Sequence, residues 1–237
     1  MNKCSIHTDM MRTTELFTPG HTIAWDFISR LHWPWEALAG IGGFILELGA
    51  AFPAEEYENL PNNVWIHKTA VIAPTASVGN TVIIGPGAHV RHGAYIREKA
   101  LVGSGAVVGN STELKNVILF DGAQVPHYNY VGDSILGHKS HMGAGAITSN
   151  VKSDRTPVFV ACGDERVDTG LKKFGAILGD NVEIGCNAVL NPGSVIGSYA
   201  TVYPLSFVRG FVPAGSIYKK QGEIAEKVDV PHSQAVK

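Results

Sequence analysis

Arg97 and Lys115 stand eighteen residues apart, each directly after a large apolar residue, Ile96 and Leu114. If eighteen residues make one turn of a repeating backbone, the two cations lie one above the other, about 5 Å apart by the strand spacing. Adjacent like charges repel, more so when partly desolvated, and an anion between them relieves the repulsion. The pair is therefore a candidate phosphate site. Two solvated side chains that splay apart are the competing reading. His127, within PHYNYVGD, is a residue type that could act as a general base near neutral pH. The competing reading there is a surface or hydrogen-bonded histidine in a turn. The chain has no glycine-rich phosphate loop followed by Lys-Ser/Thr and no GxSxG nucleophile elbow.

The elements that must position these residues follow from a period of six. Ile66, Ile72, Val78, Ile84, Val90, Ile96, Val102, Val108, Leu114 and Phe120 are each six residues after the last. A small residue follows four later at Ala70, Ala76, Ala88, Ala94, Ala100 and Ala106. The register slips, resumes at Tyr130, Leu136, Met142 and Thr148, and returns at Leu178, Ile184, Leu190, Ile196, Val202 and Val208. Helices repeat every three to four residues and simple strands every two. Six fits a parallel β-helix in which each hexad is one short strand plus a turn, and three hexads close a triangular coil. Glycine after the apolar residue (Gly79, Gly85, Gly103, Gly109, Gly185, Gly197) is read as supplying the dihedrals of a tight corner.

The fold class expected is all-β: a parallel β-helix over 63–213, with a helical segment before it and a hairpin-like excursion at 151–177. Residues 1–12 read as a flexible tail, Glu36–Ala50 as a helix and 214–237 as a C-terminal tail. The segment 13–62 holds Trp25, Trp33 and Trp35 and is read as capping or buttressing the first coil. The excursion is either functional or a tolerated surface insertion. The 237 residues carry 45 % apolar and 17 % charged side chains, which excludes disorder. A net charge of −2 points to neither nucleic acid nor an anionic membrane. Cys4, Cys162 and Cys186 form no CxxC pair and read as free thiols in a reducing cytoplasm. Neither a signal peptide nor a membrane span is visible, so a soluble cytoplasmic protein is expected. His89/His92 and His138/His141 are spaced by three, which does not bring two rings together on a β-helix, so no metal site is expected.

Residues 97–213 resemble the C-terminal acetyltransferase domain of the bifunctional N-acetylglucosamine-1-phosphate uridyltransferase/glucosamine-1-phosphate acetyltransferase family. The blocks GNSTELK, HYNYVGDS and GAGAITSN, all within 108–151, carry the resemblance. It implies a left-handed parallel β-helix, a homotrimer with sites at subunit boundaries, and acetyl-CoA as acetyl donor to an amino-sugar phosphate such as glucosamine-1-phosphate. The family's phosphate-binding arginine and lysine fall on Arg97 and Lys115, and its catalytic histidine on His127. Its substrate tyrosine falls on Tyr130, the asparagine near the acetyl group on Asn150, and a further lysine on Lys173. His141 stands where the family has asparagine, at a substrate position. Val151 replaces a tyrosine. Cys186 replaces a serine that contacts the coenzyme, and Pro204 and Arg209 complete the implied coenzyme set. The first 62 residues are too few for the uridyltransferase domain, so nucleotidyl transfer is not expected. A non-catalytic binder of sugar phosphate or sugar nucleotide, docked on a separate nucleotidyltransferase, is the alternative. A hydratase of the trimeric β-helix carbonic anhydrase type is a third, but the histidine pair four residues apart that such enzymes carry is absent here.

Overall fold

The computed structural model describes residues 7–227. Cys4 and the outer parts of both expected tails lie outside them.

The hexads become short strands that stack in parallel on three faces. On the first face Val82 pairs with Ala100 and Ala100 with Val117. On the second, Ile72 pairs with Val90 and Val90 with Val108. On the third, Val78 pairs with Ile96 and Ile96 with Leu114. The apolar residues so aligned, with the alanines beside them, fill one continuous core. The all-β parallel β-helix expected from the period is what the chain forms.

Coil length is not constant. Val82 to Ala100 is eighteen residues, but Ala100 to Val117 and Val117 to Ser134 are seventeen. The missing residue shifts the inner register at Leu119, which takes the core position. Phe120, expected inward, lies instead in a second, outer cluster with its ring 4.7 Å from Phe17. Val131 is likewise the inward residue, not Tyr130, which faces outward.

The glycines after the apolar positions also work differently from the expectation. None of the six has positive φ. A Cβ on Gly109 would strike the carbonyl of Pro126 in the next coil, and one on Gly103 would meet the backbone of Phe120 at 2.6 Å. Close approach of stacked backbones, not dihedral freedom, requires glycine there.

The first face is covered on its outer side as well. Ile83, Leu101, Ile118, Ile135, Ile177 and Val195 are buried beneath the N-terminal segment and the excursion. That segment contains α1 (Thr13–Leu16), α2 (Trp25–Ile28), a 3₁₀ helix (Pro34–Ala39) and α3 (Ile41–Ala50). The single helix expected over Glu36–Ala50 is thus two, joined at Gly40. The buried Asp180 carboxylate ties the segment down, accepting Thr18 N at 2.7 Å and His138 N at 2.8 Å. The helices lie along the flank of the coils rather than over the first. Tyr57–Leu60 pairs antiparallel with Val64–His67 of the first coil.

The excursion is a two-stranded antiparallel hairpin, Phe159–Cys162 with Glu165–Asp168. Beyond residue 213, Ser216–Lys220 extends the second face and Glu223–Glu226 pairs antiparallel with it.

Candidate functional site

The corner between the third and first faces requires a left-handed backbone in successive coils. Thr81, Lys99, Asn116 and Asp133 occupy it with φ of 56°, 52°, 55° and 48°. Asn and Asp tolerate this conformation better than other non-glycine residues. Because one such residue stacks over the next, the corner places polar side chains in a column while the faces on either side stay apolar.

Asp133, 3 % exposed, is the hub. Its Oδ1 accepts from Lys115 Nζ at 3.0 Å and from Asn116 Nδ2 at 3.0 Å. Its Oδ2 accepts from Asn150 Nδ2 at 2.5 Å. Asn116 Nδ2 also donates to Leu38 O at 3.1 Å, so the N-terminal segment is fastened to the same cluster. Asn150 Nδ2 lies 3.4 Å from the Tyr130 hydroxyl. Gly132 makes this approach possible: a Cβ there would meet Tyr130 Oη at 2.6 Å and Asn150 Nδ2 at 3.0 Å. Burial, with the charges of Asp133 and Glu113, raises the Tyr130 phenol above its ordinary pKa, so it stays a neutral donor.

The excursion leaves the coil after Asn150 and returns at Phe174, whose N–H donates to Asn150 O at 2.9 Å. Its returning leg brings Lys173 to a cleft of about 260 Å³ shared with Lys99, Lys115, Asn116 and Asp133 and walled by Leu38, Ala39 and Leu171.

Arg97 is not above Lys115. In the pairing of Tyr95–Val102 with Glu113–Leu119, Ile96 meets Leu114 and Glu98 meets Lys115, leaving Arg97 as an unpaired bulge. The cause is the seventeen-residue coil: one residue must be skipped, and the one skipped is the arginine. Arg97 is exposed and its Nη1 donates to Glu113 Oε1 at 2.9 Å. The stacked-cation argument from eighteen-residue spacing therefore fails, although Lys115 itself lies in the cleft.

The opposite edge of the third face carries a second ridge. His127 O accepts from Gly145 N at 3.0 Å, Ala144 O from Asn187 N at 2.9 Å, and Cys186 O from Leu205 N at 2.9 Å. His127, Cys186 and Pro204 are thus stacked along one corner, all exposed. The buried Asn129 fixes the turn after His127: its Oδ1 accepts His127 N at 3.1 Å, and its Nδ2 donates to Gly143 O and Ala146 O. From Tyr130 to Asp133 is only about 10 Å of extended chain, so one face separates this ridge from the Asp133 corner.

Two expected residues lie elsewhere. His141 is on the second face, its Nδ1 2.9 Å from Glu183 Oε2. Arg209 is apart from Cys186 and Pro204. It lines a separate cleft with Lys152, Asn191 and Pro192, its guanidinium 5.8 Å over the Phe207 ring. Sequence reasoning missed Asp133, Asn116 and Lys99. The one signal for Asp133 was its place in the HYNYVGDS block.

Residues 83–196 match the family model described as the GMPPB C-terminal domain. A bifunctional sugar-1-phosphate nucleotidylyltransferase/acetyltransferase of Sulfurisphaera tokodaii is 36 % identical over 109 residues, 46 % of this chain and 27 % of that protein. A bifunctional protein GlmU of Methanococcus maripaludis is 38 % identical over 197 residues, 82 % of this chain and 48 % of the relative. The chain spans about a quarter to a half of the length of these relatives. Among solved structures, a hexapeptide transferase family protein from Anaplasma phagocytophilum aligns with a TM-score of 0.41 and 18 % identity, over 70 % of this chain and 80 % of that one. The middle of this chain, residues 83–196, is thus similar to a C-terminal domain of the GMPPB type, and 82 % of the chain to part of a GlmU protein.

Proposed function

We propose that the protein is an acetyl-CoA-dependent N-acetyltransferase acting on an amino-sugar phosphate such as glucosamine-1-phosphate, in the supply of sugar nucleotides. The observation that carries this reading is the Asp133 network. It gathers Lys115, Asn150 and Tyr130 at one edge of the face whose other edge bears His127.

An ammonium cannot attack a thioester, so the acceptor amine must first lose a proton, and His127 takes it directly or through water. The amine nitrogen then bonds to the thioester carbonyl carbon, the carbon–sulfur bond breaks, and the second proton lost by the nitrogen passes to the leaving coenzyme thiolate. Cations at the cleft hold the sugar phosphate, converting a bimolecular encounter into a positioned one. Asn150 and Tyr130 face the sugar between the phosphate and the amine. Cys186 and Pro204, on the ridge with His127, are on the side from which the acetyl donor would approach. We place the complete site between copies of the chain in a homotrimer, as the family resemblance implies.

The test is to mix pure protein with acetyl-CoA and glucosamine-1-phosphate and follow acetylated product by mass spectrometry, with His127→Ala alongside. Removing the general base is expected to cost at least about a hundredfold in turnover. Equal turnover in the variant would sink the mechanism. A second reading is a non-catalytic sugar-phosphate binder. Calorimetry with coenzyme A separates the two, because a binding module has no need of the coenzyme.

A further inference from the structure

The excursion at 151–177 is built onto the coils rather than hung from them. Val158, Val160 and Cys162 alternate into the outer cluster, where Val195 and Phe211 are buried with them. Two glycines let the hairpin backbone lie against the coils. Gly193 and Gly210 have φ of 81° and 79°. A Cβ on Gly193 would meet Phe159 O at 2.8 Å, and one on Gly210 would meet Ala161 O at 2.5 Å. A merely tolerated insertion has no need of two such close approaches.

Strand alternation turns Phe159 and Ala161 the other way, and with Lys152, Pro192 and Arg209 they line a cleft. It continues past Ser153 and Asn191 into a space of about 330 Å³, the scale of a small-molecule site. Thr148 pairs with Leu190 and Leu190 with Val208, so Ser149, Asn191 and Arg209 follow one another at the next corner. Arg209 is thus two coils, about 10 Å, above Ser149. The lining is of two kinds. Phe159 and Pro192 are flat and apolar, while Lys152 of the excursion and Arg209 of the coil are cations. Lys152 Nζ lies 5.2 Å and the Arg166 guanidinium 4.7 Å from the centre of the Phe159 ring. The carboxylate of the lining, Asp154, is already engaged. It accepts from Thr156 N at 3.0 Å and Thr156 Oγ1 at 2.8 Å, and lies 3.6 Å from Lys152 Nζ. Among the described residues Arg209 and Arg166 have no carboxylate partner. An anion that carries a planar ring satisfies both kinds of lining. Its phosphate oxygens take guanidinium and ammonium N–H groups, and its ring stacks on an aromatic face or a guanidinium plane.

We propose that the cleft under the hairpin binds a nucleoside diphosphate, apart from both the Asp133 cleft and the ridge of Cys186 and Pro204. Arg209 and Lys152 hold its phosphates, and Phe159 carries its base. The site needs neither the acceptor nor the acetyl donor, and Arg209 serves a ligand other than the coenzyme.

Titration calorimetry of the full chain at low ionic strength tests it, with UDP, ADP, uridine, pyrophosphate and coenzyme A as probes. The variants are Arg209→Gln and Phe159→Leu, the second keeping an apolar side chain on the strand. Lys139→Gln, an exposed lysine on another corner, controls for net charge. UDP or ADP is expected to bind at least about tenfold more tightly than uridine or pyrophosphate, because only a whole nucleotide uses both kinds of lining. Arg209→Gln should weaken that binding about tenfold, the scale of one charge-assisted hydrogen bond. Phe159→Leu should weaken it about fivefold or more, the scale of one stacked base. Lys139→Gln should stay within twofold, and all variants should keep the wild-type circular dichroism. Saturating coenzyme A should leave the affinity for the diphosphate unchanged. Binding of neither diphosphate, wild-type affinity in both cleft variants, or an equal loss in Lys139→Gln would overturn the proposal. Pyrophosphate binding as tightly as UDP and ADP would overturn the ligand class. Displacement of the diphosphate by coenzyme A would overturn the separate site and give the cleft to the acetyl donor.

Discussion

Asp133→Asn tests whether one carboxylate organises the corner. The substitution preserves shape and removes one negative charge and one acceptor. In the wild type both carboxylate oxygens receive donors: Lys115 and Asn116 on Oδ1, Asn150 on Oδ2. An amide has a single carbonyl oxygen, so whichever way it turns, an N–H faces another N–H donor. Breaking a fully buried ion pair from one side costs about 3–5 kcal/mol. Lys115 keeps partial access to water, so about 2–4 kcal/mol is expected here. For a chain of this length that is a fall in melting temperature of roughly 4–16 °C. The assay is thermal denaturation followed by circular dichroism at matched protein concentration. Glu183→Gln serves as contrast, since its partner His141 and its own side chain are both well exposed; it should cost less than about 0.5 kcal/mol. A melting temperature for Asp133→Asn within 2 °C of wild type would refute the reasoning, because it would mean the three donors find equal partners without the charge.

Three further outcomes are expected. Leu101→Ala, at a fully buried position in the outer layer, should destabilise by about 2–5 kcal/mol in chemical denaturation, as a true core position does. In a Cys4→Ser background a thiol dye at pH 8 should modify exposed Cys186 and spare Cys162, whose pKa burial pushes up to about 11. A raised pKa means less thiolate at a given pH, so modification of Cys162 should speed up about tenfold per unit as pH rises toward that value. Tyr128, Tyr203, Leu205 and Phe207 are all exposed, Leu205 at 80 %, and light scattering should give about three times the 25.3 kDa chain mass, falling on Leu205→Lys.

The β-helix was legible because ten hexads share one phase, and a chain forming helices or simple strands has no reason to keep it. The seventeen-residue coils were not legible, and two coincidences hide them. Phe120 is apolar and falls six after Leu114, so the pattern continues through the residue where the backbone has already shifted. Leu119, the true inner residue, is apolar as well. The stacking of Arg97 on Lys115 was a consequence of assuming constant coil length, and it failed with that assumption. The docking of the N-terminal segment had a readable signal. Ile83, Leu101, Ile118, Ile135, Ile177 and Val195 each directly precede an inward residue, and adjacent apolar pairs mark a strand buried on both faces. The role of Asp133 had no such signal, since its partners come from the preceding coil and from the start of the excursion. Only the fold brings those pieces together.

The placement of chemistry in this solenoid follows from where its backbone must be left-handed. Faces are committed to burial, with an inner apolar row throughout and an outer one on the first face. A left-handed corner contributes little to either row, and the residues that tolerate it best are short and polar. One corner column therefore carries Lys99, Asn116 and Asp133. On the opposite edge, left-handed Tyr128, Asn187 and Leu205 directly follow His127, Cys186 and Pro204. A functional group can change at such a corner without disturbing the core, which is why the departure at Cys186 coexists with an unbroken stack. Asp133 is the exception, a corner residue so buried that its chemistry and its contribution to stability cannot be separated. Lys99, exposed at the same corner and with no ion-pair partner among the described residues, is the opposite case: its replacement should leave the melting temperature where it was.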